Sequence, residues 1–213
     1  MRELLDLYGL SLLQAIGQHT VYVLVSVAIG FALGLLAGIL LSRAPKLSGL
    51  IIPILSIFQT IPGLVFIGVL FIWWGNIYPT VIVALSIYAM FPVLKNTYTG
   101  ILAVEGKYIE AAKGCGMSPL QTLVRVELPL AMPTIVAGLR MATIYTVSWA
   151  VLAAMIGLGG LGNFVYQGTN SNNNTLILLG AIPAAILAVL FGSVIDMLQK
   201  KVTPRGLRKE AGK

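Results

Sequence analysis

The side chains able to do chemistry in this 213-residue chain gather between positions 108 and 133, YIEAAKGCGMSPLQTLVRVELPLAMP, its longest charged stretch. The chemistry on offer is recognition. No Ser/His/Asp, Cys/His or metal-spaced set occurs, and no G-x-x-x-x-G-K-[ST] phosphate loop, so the polypeptide has no means of its own to use ATP. Cys115 is the single cysteine, which excludes an internal disulfide and reads as a small helix-end residue. Glu110, Ala111, Ala112 and Lys113 are good helix formers, and Gly114 and Gly116 follow where a helix would close, so a first short helix should stop near Cys115. Ser118 offers a hydroxyl N-cap, Pro119 suits the first helical position, and Gln121 stands three residues after the cap, which predicts a second helix ended by Leu128-Pro129. Ala111 and Ala112, small and next to an acid, form a knuckle that another protein's cleft could receive closely.

The elements that must hold this knuckle are membrane helices. With 58% hydrophobic and 10% charged residues, the chain cannot be an ordinary soluble globule. A net charge of +7 could point to nucleic acid, but in a membrane protein basic residues mark loops on one side, and no nucleic-acid partner is expected. No cleaved signal peptide is expected at the N-terminus. Residues 1–18 mix leucines with Arg2, Glu3, Asp6 and Gln14, which predicts a short interfacial helix too polar to span, with His19 following at the membrane edge.

Residues 19–198 read as a transmembrane domain of five helices. The first span, about 20–41, carries Ser26, Gly30, Gly34 and Gly38 at four-residue intervals, a stripe that should pack closely on another helix. Residues 47–94 contain no charge and are too long for one crossing. They divide at 75–79, flanked by Trp73, Trp74 and Tyr78 as an aromatic belt. Within the second span, Gln59, Thr60, Pro62 and Gly63 are candidates for a helix break lining a pathway, the alternative being a simple kink. The third span, about 80–94, contains Pro92 and ends at Lys95-Asn96. The fourth, rising from Pro129 to about 156, holds Arg140 well inside it, to be met by Asp196 or to snorkel. Residues 157–174 read as a Gly- and Asn-rich loop. Gly157, Gly159 and Gly162 literally satisfy G-x-G-x-x-G, yet no strand precedes them, so with Gly160 they are assigned to a tight turn or re-entrant shoulder at an outer mouth. The last span, about 175–198, repeats the small-residue stripe at Gly180, Ala184, Ala188 and Gly192, and a basic tail, 199–213, follows.

Five spans put Arg43, Lys46, Lys95, Lys107, Lys113, Arg125, Lys200, Lys201, Arg205, Arg208, Lys209 and Lys213 on one side, twelve of the fourteen basic residues. The positive-inside rule then predicts an outside N-terminus and a cytoplasmic C-terminus, with the coupling stretch of about 97–129 in the cytoplasm.

The spacing Glu110-Ala111-Ala112, three residues, Gly116, nine residues, Val126, one residue, Leu128-Pro129 resembles the EAA loop of the membrane subunits of bacterial ABC importers. The resemblance extends from about His19 to Asp196. It looks most like the permeases of osmoprotectant uptake systems through FQTIPGLVFIG (58–68), IYAMFPVLKNTYTGI (87–101) and VELPLAMPTIVAGLRMATIYTVSWAVLAAMIGLGGLG (126–162). It implies the all-α type I ABC importer transmembrane fold and a half-pathway for glycine betaine, carnitine or choline. The implied partners are a cytoplasmic ABC ATPase dimer carrying ATP and Mg, a second permease copy or a paralogue, and an extracellular or periplasmic solute-binding protein, separate because this chain stops at Lys213. No cofactor is expected on this chain itself. The residues implied for ATPase coupling are Glu110, Ala111, Ala112, Lys113, Gly116, Leu128 and Pro129; 75–79 and 157–174 would meet the binding protein. A methionine-type amino-acid permease shares the glycine-rich end, and the reading from a different class is a stand-alone secondary transporter or channel.

Overall fold

The computed structural model describes residues 2–204, with side chains from Leu7 onward, and is helical throughout that length apart from short turns. Helix α1, Arg2–Ser42, is one unbroken rod. The separate short helix expected over residues 1–18 is therefore fused to the first span. Nothing at the junction stops propagation: there is no proline, and Gly9 and Gly17 face open space within the helix. The apolar part of α1, Leu7–Ser42, is 36 residues, well beyond the roughly 20 that cross a bilayer.

Helices α2, Pro45–Phe58, and α3, Gly63–Trp74, meet at 92°. Helix α4, Ile77–Leu102, runs two turns past the expected stop at Lys95-Asn96, because Lys95 lies on an exposed face and need not end the helix. Short helices α5, Gly106–Gly114, and α6, Pro119–Thr122, are followed by a single π turn, Leu123–Glu127, which leads without interruption into α7, Leu128–Leu152. Leu128-Pro129 thus starts a long helix instead of ending one. Proline lacks an N–H and its ring crowds the carbonyl four residues back, and both problems ease at a helix start or beside a wider turn. A 3₁₀ turn, Ala153–Ile156, then α8, Leu161–Asn170, and α9, Asn174–Val202, complete the described residues. Four helical segments are long and apolar enough to cross a membrane, and the α2–α3 pair, counted as one broken span, makes the fifth. The basic tail past residue 204 lies outside the described residues.

Helix α4 is the hub, with 61% of its most apolar window buried. In lipid, helices associate through close packing, hydrogen bonds and lipid entropy more than through removal of apolar area from water, so small residues decide where backbones can meet. The glycine stripe of α1 lies on α4. A Cβ on Gly30 would stand 2.7 Å from that of Ala89, one on Gly34 2.5 Å from the Met90 carbonyl, and one on Gly38 2.6 Å from Thr97. On the other side, Gly138 of α7 admits Asn96 and the Pro92 carbonyl. The small-residue stripe of α9 is divided between two partners. Gly180 touches α8 at the Leu161 carbonyl and Phe164, while Gly192 lies beside Arg140 and Ile144 of α7. The core joins Val23 and Val27 of α1, Val81, Leu85 and Val93 of α4, and Val147 and Ala150 of α7.

Candidate functional site

The knuckle is built by two local motifs placed back to back. Helix α5 ends in a Schellman closure: Gly116 N–H donates to the Lys113 carbonyl at 2.9 Å and Met117 N–H to the Ala112 carbonyl at 3.1 Å, with Gly116 at φ +74°, where a side chain would be strained. One residue later α6 opens with a complete capping box. Gln121 N–H donates to Ser118 Oγ at 3.3 Å and Ser118 N–H to Gln121 Oε1 at 2.8 Å. The angle between the two short helices is therefore set by Gly116 and Ser118.

Within α5, Glu110, Ala111 and Lys113 are exposed, and Cys115 at its C-cap is exposed and unpaired. Ala112 is only 4% exposed. Successive residues on a helix point about 100° apart, so the two alanines of the knuckle face different ways. Ala111 is available to a partner, whereas Ala112 is turned in where α5 packs on α6 and the π turn. Leu128 and Pro129 are half-buried at the start of α7.

A residue that sequence reasoning passed over anchors this region. Glu127, the last residue of the π turn, is 3% exposed, and Arg43 at the end of α1 donates from Nη2 to its Oε2 across 84 residues of chain. An isolated acid set among apolar residues, VELP, was the available signal, since a carboxylate there needs a partner. Arg43, Ile109, Lys113, Met117, Thr122 and Glu127 surround a cavity of about 360 Å³ beneath α5.

At the break, Thr60 N–H donates to the Ile57 carbonyl and Ile61 N–H to that of Phe58, and Pro62 starts α3. Thr60 and Pro62 are exposed and Gln59 is half-buried. Gly63 is buried under the Trp149 ring, whose atoms would lie 2.5 Å from an added Cβ. Tyr88 OH donates to the Ile61 carbonyl at 2.8 Å, one of the acceptors a broken span leaves over. Phe58, Phe66, Tyr88 and Trp149 form a continuous ring cluster around the bend, with neighbouring centroids 4.9–5.5 Å apart. Tyr88 and Trp149, supplied by α4 and α7, are absent from the residues expected there, because they lie 25 or more positions away and meet the break only through folding.

Arg140 and Asp196 do meet, Nε to Oδ1 at 2.8 Å, joining α7 to α9 with each side chain 44% exposed. At the opposite end from the knuckle, Gly157, Gly159 and Gly160 have φ of +95°, +87° and +71°, the expected tight turn. The expected loop over 157–174 nevertheless contains α8. Gly162 belongs to that helix and serves close packing, since its added Cβ would come within 2.1 Å of the Val151 carbonyl. Leu161 and Phe164 turn one face of α8 onto Leu176 and Ala184 of α9 and Ala15 of α1. His19, expected at the membrane edge, is fully buried within the protein next to Gly160, while Gly160 N–H donates to Gln18 Oε1 at 3.3 Å. Among the described residues no three His, Cys, Asp or Glu gather as a metal site.

Residues 30–207 match the family described as binding-protein-dependent transport system inner membrane component. The chain belongs to that family. It is 38% identical over 201 residues to the carnitine transport permease protein OpuCB of Listeria monocytogenes, covering 94% of this chain and 92% of that protein. To the glycine betaine/carnitine/choline transport system permease protein OpuCB of Bacillus subtilis (strain 168) it is 38% identical over 208 residues, 98% of this chain and 96% of that protein. Among solved structures, the inward facing methionine ABC transporter MetNI superposes with a TM-score of 0.82 at 25% identity, over 91% of this chain and 96% of the matched one. The chain is the permease subunit of an ABC importer, a pore component and not an enzyme, with the type I importer fold. Such a subunit works with an ATPase and a solute-binding protein.

Proposed function

We propose that this permease forms half of a translocation pathway for a small quaternary ammonium osmoprotectant, glycine betaine, carnitine or choline, and that α5 is the element an ABC ATPase dimer engages. The substrate class rests on near full-length identity to permeases named for these solutes. The docking face rests on the exposed Glu110, Ala111 and Lys113, held on a short helix whose exit is fixed by the Gly116 closure. Gly114 and Cys115 extend that exposed surface, and Leu128 and Pro129 join it to α7.

A second permease, identical or paralogous, completes the pore against the apolar faces this chain leaves open. The bend at Gln59–Gly63 and the Arg140–Asp196 pair border the passage, and the turn at Gly157–Gly160 stands at the mouth where the binding protein delivers solute. The N-terminus is outside and the knuckle in the cytoplasm, in keeping with the basic residues at that end. ATP and Mg are held by the ATPase. Closure of the ATPase pair moves the two knuckles together and exchanges inward- and outward-facing states, a switch that needs different contacts in each state.

Uptake of labelled betaine, carnitine and choline into proteoliposomes holding the permease, its ATPase and its binding protein tests this reading. ATP-dependent accumulation of at least one of the three is expected. Accumulation of methionine alone would favour the amino-acid reading suggested by the likeness to the methionine transporter.

A further inference from the structure

The knuckle and the opposite mouth are far apart, and the rod between them is α1. From Gln18 to Ser42 it covers about 36 Å at 1.5 Å per residue. Its glycine stripe clamps it to α4, so it moves as a packed unit and not as a loose strand. At one end Gln18 and His19 hold the Gly159–Gly160 turn. At the other end stands Arg43, one residue past the helix, paired with Glu127.

We propose that Arg43 and Glu127 are a positioning pair that makes α1 follow the knuckle, carrying motion of α5 to the opposite mouth. The proposal rests on the reading of α5 as the ATPase-docking element. Three features support it. Glu127 is almost wholly buried while Arg43 is 48% exposed, so the carboxylate depends on this guanidinium and loses its compensation when the two separate. Arg43 and Glu127 share the wall of one cleft with Ile109 and Lys113 of α5, so the pair stands beside the docking element. Finally, the π turn that ends in Glu127 packs on α5 and leads without interruption into α7, so a displacement of α5 reaches the carboxylate through the segment it touches. Lys113, also on the cavity wall, belongs to α5 itself and moves with it.

The test uses the full complex of permease, ATPase and binding protein in proteoliposomes and reads solute transported per ATP hydrolysed, together with ATPase retained per permease. Glu127→Gln and Arg43→Gln should each lower transport per ATP by about fivefold or more, the scale of a coupling free energy of at least 1 kcal/mol, with ATPase retention unchanged. The double variant should be no worse than the poorer single one, and Arg43→Lys should recover much of the loss. Should Glu127→Gln fail to insert, Arg43→Gln and Arg43→Lys still decide the matter, because that side chain is half exposed. Single variants that couple normally, losses that multiply in the double variant, or a fall in assembled complex with unchanged transport per ATP would each overturn the inference and leave docking intact. A parent chain that retains no ATPase overturns the docking reading and this inference together.

Discussion

Ala111 and Ala112 are chemically identical neighbours with opposite duties. Ala111 is exposed on α5, where a larger side chain would stand between the knuckle and a partner's cleft; Ala112 is buried, where the same change overfills a packed contact. Overpacking of this kind costs on the order of 1–3 kcal/mol. Ala111→Trp should leave the permease folded in the membrane yet unable to retain ATPase in mild detergent. Ala112→Trp should instead reduce the amount of folded permease. Gel filtration of each variant with quantified ATPase separates these outcomes, and a folded Ala111→Trp permease with full ATPase retention would move the docking face elsewhere. Arg140 and Asp196 show a similar dependence on place: a charge well inside a span needs a partner, and each finds it in the other, on a different helix.

At the scale of elements, glycine acts mainly through contact. On α1 the stripe at Gly30, Gly34 and Gly38 lets the α4 backbone within reach, and the same device recurs at Gly138, Gly162 and Gly180. Gly34→Leu should therefore force α1 from α4 and cost about 1–3 kcal/mol or more, read as a lower thermal aggregation temperature in detergent. Gly49→Leu, on a part of α2 with nothing within 4 Å, should leave that temperature unchanged. Equal effects at the two positions would show that α1 and α4 do not pack as described. The broken pair α2–α3 is held differently, by the Tyr88 hydroxyl on the Ile61 carbonyl and by the ring cluster, so its bend depends on α4 and α7.

For the molecule as a whole, the arrangement puts the knuckle at one end and the Gly157–Gly160 turn at the other, joined by helices α1, α4 and α7. The chain's single cysteine, exposed at the tip of α5, reports which end faces the cytoplasm. A membrane-impermeant maleimide should label Cys115 in inverted vesicles and spare it in intact cells; the reverse pattern would invert the topology. The exposed apolar face of α9, with Leu178, Ile182, Ile186, Val189 and Leu190, is left for lipid or a second permease.

Local chemistry was legible from the sequence wherever the deciding groups lie within a few residues of each other. The closure at Gly116, the capping box at Ser118, the interruption at Pro62 and the presence of several apolar spans all follow from neighbours along the chain, as does the spacing that placed it among ABC importer permeases. Small-residue stripes announced that helices would meet, without naming their partners. Which alanine faces inward, which acid holds Arg43, that α1 runs unbroken from Arg2 into the first span, and that Tyr88 and Trp149 close the bend were decided only by the tertiary structure. Each depends on the phase of a helix against a neighbour distant in sequence, and a local pattern carries no record of that neighbour.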